Sequence, residues 1–125
     1  MYVAVAIGGA AGGYLRVALS LVPGTGSPAS WPWITFAVNV AGTFVLALAL
    51  SLLRARGRSQ SLWRPLLGPG FCGALTTFST LQLEVFRMLR ADHFELAAGY
   101  LAASVLAGAA AVVAGIALGR QRAAS

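Results

Sequence analysis

Hydroxyl side chains surround a phenylalanine in the third apolar stretch of the chain, within residues 70–84 (GFCGALTTFSTLQLE). Residues 76–80 read TTFST, where an ordinary membrane span would carry Leu, Val or Ile. Ser and Thr side chains can hydrogen-bond back to the preceding turn and bend a helix. A break would free backbone carbonyls, which a membrane tolerates only where protein, water or a cation satisfies them. The residues leave open both an intact helix, with its hydroxyls bonded to i−4 carbonyls, and a broken one.

A second pattern offers hydrogen-bond donors to a small anion. Asn39 lies about two turns inside the second apolar stretch. Its amide and the hydroxyls of Ser79 and Thr80 could together replace the water around an anion. The edge of the Phe78 ring is the positive part of its quadrupole and would attract the same ion. These side chains predict an anion path, and helix packing by Asn39 and Phe78 is the competing interpretation.

Other polar side chains lie toward the ends of the third and fourth stretches. Glu84 and Arg87 are i and i+3 on a helix, so a salt bridge is the simple interpretation. A carboxylate within a span is nevertheless a functional candidate. Tyr100 and Ser104 are i and i+4 and share a helix face, where they extend a polar track or cross-link helices. His93 lies in a loop and is assigned no role.

The composition is that of an integral membrane protein. Of the 125 residues, 58% are hydrophobic and 10% are charged, and the mean hydropathy is +0.80. A soluble domain of this size is far less apolar. The formal charge is +6, but the arginines lie at the ends of apolar stretches as topology signals do, which argues against nucleic-acid binding. The single cysteine, Cys72, falls in an apolar run and is interpreted as a packing residue.

Four transmembrane helices are predicted, at about 2–22, 33–53, 69–89 and 96–119, so 1–125 is expected to be one all-α transmembrane domain. Both termini then lie on one side, and the arginine excess near them favours cytoplasmic termini. No extramembrane part is large enough to hold an enzyme active site, and enzymatic activity is not expected. The first span carries glycines that let another helix approach closely: Gly8, Gly9, Gly12 and Gly13. Because four thin helices can hardly shield a polar path from lipid, an oligomer is expected.

The chain resembles the fluoride channel family, Fluc, also called CrcB. Three segments carry the resemblance in order and spacing: GGAAGGYLR in the first span, TFAVNVAGTF in the second and GFCGALTTFSTLQLE in the third. The resemblance covers essentially the whole chain. It implies an antiparallel, dual-topology dimer in the lipid of the cell inner or plasma membrane, which exports fluoride passively and lowers its cytoplasmic concentration. It also implies that the third helix is broken at mid-span.

The resemblance further implies roles for individual residues. A buried sodium ion, structural and not transported, would be held by the main-chain carbonyls of Gly73 and Thr76 and by those of the second subunit. Arg16 matches the arginine of the family's span-one motif, and Glu84 matches the acid that follows TTFST. The pore and its polar track would be lined from the second, third and fourth spans by Asn39, Phe78, Ser79, Thr80, Tyr100 and Ser104.

Two positions depart from the family pattern. Leu81 stands where a second Phe is usual, and Gly108 stands where a polar residue is expected one turn beyond Ser104. A homodimer is the favoured expectation, and these departures are also compatible with a heterodimer in which this chain is an inactive-pore half.

Two other functions compete with the channel. A small proton-coupled multidrug transporter needs a membrane-embedded carboxylate, and the candidate, Glu84, lies near a span end and close to Arg87. A non-transporting accessory protein would leave the mid-span hydroxyls unexplained.

Overall fold

The computed structural model describes residues 1–21, 27, 29–57, 62–76 and 78–125, and within these ranges every regular element is helical. Helix α1 comprises Tyr2–Ser20 and helix α2 comprises Trp33–Ala55. The prediction for span one reached residue 22, which lies outside the described residues, as does Thr77 of the TTFST run.

The third span is assembled from several helical pieces. It starts with the single turn α3 (Trp63–Pro65) and continues as a π-helical segment (Leu66–Cys72) and the short helix α4 (Gly73–Leu75). The remainder of the predicted span lies in the helix that begins at Phe78. The sequence prediction starts this span at about residue 69, whereas the helix begins at Trp63 and Pro69 lies inside it. In an α-helix the proline ring would clash with the carbonyl four residues earlier, and the wider π turn relieves that contact.

Two further helices complete the chain. Helix α5 comprises Phe78–Arg90, and α6 comprises Phe94–Ala124, so α6 starts before and ends after the span predicted at about 96–119. Within the described ranges, three helices are long and apolar enough to cross a membrane, namely α1, α2 and α6.

Close helix contacts depend on small residues. Helix α1 packs against the π-helical segment and α4, while α2 packs along α6. Gly8 and Gly12 are buried where α1 meets the backbone carbonyls of Leu66 and Phe71, and a Cβ atom at either glycine would collide with them. A Cβ atom at Gly13 would instead enter open space. Close helix packing was predicted for all four glycines. The tight contacts are made by Gly8 and Gly12, one glycine of each adjacent pair.

The apolar core is small and lies between α5 and α6. It consists of Leu81, Met88, Ala97 and Tyr100, with Phe36 of α2 packed against it. Cys72 is buried in the π-helical segment, which confirms its interpretation as a packing residue. Large apolar side chains elsewhere face outward on both α1 and α6. Such a surface suits contact with lipid or with another membrane-embedded chain.

Candidate functional site

The backbone leaves helical geometry at Thr76. Helix α4 ends at Leu75, Thr76 has φ −78° and ψ 148°, and α5 begins at Phe78. The Thr76 amide and hydroxyl both donate to the carbonyl of Cys72, at 2.9 and 2.7 Å. The Thr76 side chain thus bonds to an i−4 carbonyl, as the intact-helix interpretation expects, although its backbone is extended. Carbonyls in the last turn of a helix need partners from outside that helix.

One groove on the molecule is lined mainly by apolar and aromatic side chains. This aromatic groove has a volume of about 250 Å³. Its walls come from α2, Thr76, α5 and α6: Phe36, Asn39, Val40, Thr43, Thr76, Phe78, Leu81, Leu101, Ser104, Val105 and Gly108. Phe78 is 70% exposed. The Ser104 hydroxyl is buried and has no hydrogen-bond partner within the described part of the chain.

A second groove contains charged side chains. This arginine groove has a volume of about 310 Å³ and lies between α1, α2, Leu75 and α5. Its lining residues are Arg16, Val17, Leu19, Ser20, Ile34, Thr35, Val38, Asn39, Leu75, Thr80, Glu84 and Arg87. Two arginines against one carboxylate give its lining a formal charge of +1. The groove therefore has the electrostatic character of an anion entrance.

Asn39 lines both grooves. Three other α2 residues line the aromatic groove: Val40 follows Asn39 directly, and Phe36 and Thr43 are each about one turn away. The Thr43 hydroxyl donates to the Asn39 carbonyl at 2.7 Å. Asn39 is therefore shared by the lining of a positively charged groove and that of an uncharged one.

Glu84 joins three helices through hydrogen bonds. The Thr35 hydroxyl of α2 donates to Glu84 Oε1 at 2.6 Å, and the Tyr100 hydroxyl of α6 donates to Oε2 at 2.7 Å. Among the described residues, Glu84 makes no ion pair with Arg87, so the predicted salt bridge is wrong. The physical reason is that neighbouring helices supply a donor to each carboxylate oxygen, while the Arg87 side chain is exposed.

The structure separates residues that the sequence placed on one polar track. Ser104 lines the aromatic groove, whereas Tyr100 is fully buried against Glu84 and lines neither groove. Thr80 lines the arginine groove, and Ser79 is exposed outside the lining of both. Gly73, the first residue of α4, is also exposed. Of the six residues predicted to line the pore, Phe78 and Ser104 line the aromatic groove, Thr80 lines the arginine groove and Asn39 lines both, whereas Ser79 and Tyr100 line neither.

Sequence reasoning missed three residues of α2 that contribute to these sites. Thr35 binds Glu84, Phe36 lines the aromatic groove, and Thr43 binds the Asn39 backbone. A signal was present, because polar residues at 35, 39 and 43 recur every four positions and therefore follow one helix face. Phe36 had no such signal, since an aromatic residue in an apolar helix is unremarkable.

Known proteins resemble this chain along nearly all of its length. The family model described as CrcB-like protein, Camphor Resistance (CrcB), matches residues 3–116. The fluoride-specific ion channel FluC 1 of Mycolicibacterium paratuberculosis is 51% identical over 109 residues, which are 87% of this chain and 82% of that protein. FluC 1 of Mycobacterium tuberculosis is 47% identical with the same coverage. The fluoride-specific ion channel FluC of Leptospira interrogans is 36% identical over 112 residues, which are 90% of this chain and 88% of that protein.

Proposed function

This chain belongs to the CrcB-like family, and we propose that it is a fluoride-selective channel that lets fluoride leave the cytoplasm passively. It is a multi-pass membrane protein with three helices able to span the bilayer among its described residues. The observation that carries the proposal is the position of Asn39 in the lining of both grooves. The proposed path runs from the positively charged arginine groove, past the Asn39 amide, into the uncharged aromatic groove.

The arginine groove would concentrate the anion. Arg16 and Arg87 line it from α1 and α5, and fields in a cleft bounded by apolar walls raise the local concentration of the opposite charge. Glu84 lies in the same lining, but each of its oxygens accepts a hydrogen bond from Thr35 or Tyr100. These donors hold the carboxylate in place and spread its charge, which lessens its repulsion of the anion.

The aromatic groove would replace the hydration water of the anion. Donors and positive ring edges suit this purpose, and the groove offers the Asn39 amide, the Ser104 hydroxyl and the Phe78 ring. The first amide groups of α5, beginning at Phe78, have no carbonyl partner in their own helix. A helix N-terminus carries partial positive charge and favours an anion.

We also propose that the interruption at Thr76 lies at mid-membrane and contributes to a structural sodium site. The donor set fits, because main-chain carbonyls at the end of an unwound helix are suitable ligands for a sodium ion. Gly73 and Thr76 would supply them. Gly73 is the first residue of the three-residue helix α4 and Thr76 follows its last residue. Gly73 is exposed and has no side chain to obstruct an ion, and the backbone of Thr76 is extended. When bound, sodium would neutralise carbonyls that a membrane interior leaves without partners.

The exposed groups support a dimer. Phe78 is largely exposed and Gly73 lies on the surface, so a single chain leaves both the groove and the proposed carbonyl ligands uncovered. We propose that a second copy, in antiparallel orientation, covers this surface and completes two pores. A homodimer needs no further partner, and it is the arrangement that we favour over a heterodimer with a related chain.

Fluoride efflux from liposomes that contain the purified chain alone tests the proposal. A fluoride-selective electrode should record efflux that exceeds chloride efflux and needs no proton gradient. Absence of fluoride efflux from folded, dimeric protein would refute the homodimeric channel and indicate a missing partner chain. Proton-coupled drug uptake serves as the second control, although both Glu84 oxygens are occupied by hydroxyl donors and this does not favour proton exchange there.

A further inference from the structure

The aromatic groove has a phenylalanine on each of two walls. Phe36 lines it from α2 and Phe78 lines it from α5. Phe36 lies one turn before Asn39 on the same helix, and both side chains reach the groove. The buried Ser104 hydroxyl, which has no partner among the described residues, lines it from α6. Two rings, an amide and a hydroxyl therefore border one space of about 250 Å³.

An anion in this groove needs positive partial charges, because its lining contains no charged side chain. Amide and hydroxyl hydrogens provide them, and so does the edge of an aromatic ring. We propose that Phe36 is a specificity-determining residue whose ring edge faces the permeating anion, across from Phe78 and beside the Asn39 amide. This inference rests on the proposed fluoride conduction and assigns a role to a residue on α2 within the same path.

Neighbouring aromatic side chains hold the Phe36 ring. Its centroid is 5.5 Å from that of Trp31 at an interplanar angle of 76°, and 6.2 Å from that of Trp33 at 87°. Perpendicular pairs of this kind are favourable, and two of them restrict rotation of the ring. A ring with a fixed orientation gives the groove a fixed width, which discriminates against an anion larger than fluoride.

Leu81 explains why the second ring lies on α2. It also lines the groove, one turn after Phe78, but it is only 6% exposed and packs in the core with Met88 and Tyr100. Phe36 also packs against this core. The Leu81 side chain and the Phe36 ring therefore fill neighbouring space beside the core, and the ring lines the groove from α2.

The test compares two Phe→Leu substitutions on one helix, with fluoride and chloride efflux measured from liposomes. Phe36→Leu keeps an apolar side chain but removes the ring edge. Phe44→Leu is the matched control, since Phe44 lies further along α2 and lines neither groove. We expect Phe36→Leu to lower fluoride efflux about tenfold, the effect of about 1.4 kcal/mol of lost stabilisation, and to reduce the preference for fluoride over chloride. Phe44→Leu should retain both.

A rescue variant distinguishes the ring edge from packing. Phe36→Leu combined with Leu81→Phe moves the ring across the groove, and it should restore most of the efflux. Equal efflux from Phe36→Leu and Phe44→Leu would overturn the proposal, and so would a folded double variant without rescue. If Phe36→Leu does not elute like the wild type, Phe36→Met replaces it with the same expectation. Absence of efflux from the wild type itself would instead refute the underlying channel function.

Discussion

Removal of one phenolic oxygen tests how Glu84 is held. Tyr100→Phe deletes the hydroxyl that donates to Glu84 Oε2 at 2.7 Å and leaves the ring in place. The second donor, Thr35, remains on Oε1 at 2.6 Å. The carboxylate then keeps one of its two interhelical hydrogen bonds, and the link between α5 and α6 loses its polar contact.

The expected cost follows from burial and from the kind of acceptor. Tyr100 is 0% exposed, so water cannot replace its hydroxyl without rearrangement. Interhelical hydrogen bonds in membranes contribute about 0.6 kcal/mol on average, whereas bonds to charged groups contribute about 1.5–3 kcal/mol. The carboxylate acceptor favours the larger value. We therefore expect Tyr100→Phe to lower the free energy of unfolding by about 1.5–3 kcal/mol.

Unfolding of the purified protein in detergent, followed by tryptophan fluorescence, measures this loss. The Trp31 ring lies 5.4 Å from that of Tyr100 and reports on this region. Tyr14→Phe is the matched control, because Tyr14 is 79% exposed on α1 and its hydroxyl forms no hydrogen bond among the described residues. It should leave the stability unchanged.

The same substitution in a Glu84→Gln background identifies the cause. With an uncharged acceptor, the cost of Tyr100→Phe should fall to about 0.5–1.5 kcal/mol. A coupling energy near zero between the two positions would refute the reasoning, because directly bonded residues do not act additively. Equal stability of the Tyr100→Phe and Tyr14→Phe variants would refute it as well.

Three further predictions concern the path, the helix packing and the ion. Asn39→Asp should lower fluoride efflux by at least about tenfold. The reason is that two like charges about 4 Å apart repel each other by about 4 kcal/mol at an effective dielectric constant of about 20. Undiminished efflux would show that Asn39 does not line the path. Gly12→Ala should destabilise the fold by about 1–3 kcal/mol in the same unfolding assay, because the added Cβ atom would collide with the Phe71 carbonyl. Gly13→Ala is the control and should leave the stability unchanged, because its Cβ atom would enter open space. Equal stabilities of the two variants would contradict the described packing. Exhaustive removal of sodium should weaken the dimer in size-exclusion chromatography, and unchanged assembly and activity would count against the proposed site.

Much of the fold could be predicted from local patterns. Three long apolar stretches became α1, α2 and α6, because each is long enough to span a bilayer by itself. The third span was less predictable. Pro69 indicated a helix start, but the helix passes through it as a π-helical segment that begins three residues earlier. Backbone geometry of this kind depends on the packing of α1 against the segment, which a local pattern does not contain.

The site was predictable where a residue's own chemistry is unusual in its surroundings. Asn39 stood out as an amide in an apolar helix, and it lines both grooves. The partners of Glu84 did not stand out. Arg87 is near in sequence, whereas Thr35 and Tyr100 are 49 and 16 positions away. Helix packing brings these hydroxyls to the carboxylate, and the exposed arginine side chain makes no ion pair with it.

The membrane-spanning character, the main helices and the residue types available to an anion follow from the amino-acid sequence, because hydropathy and side-chain chemistry are local properties. The grouping of those residues depends on the packing of the helices. In the folded chain, Tyr100 donates a hydrogen bond to Glu84, whereas Ser104 and Phe36 line the aromatic groove. Each of these outcomes depends on the relative position of α2, α5 and α6, which is fixed by contacts between residues far apart in the chain.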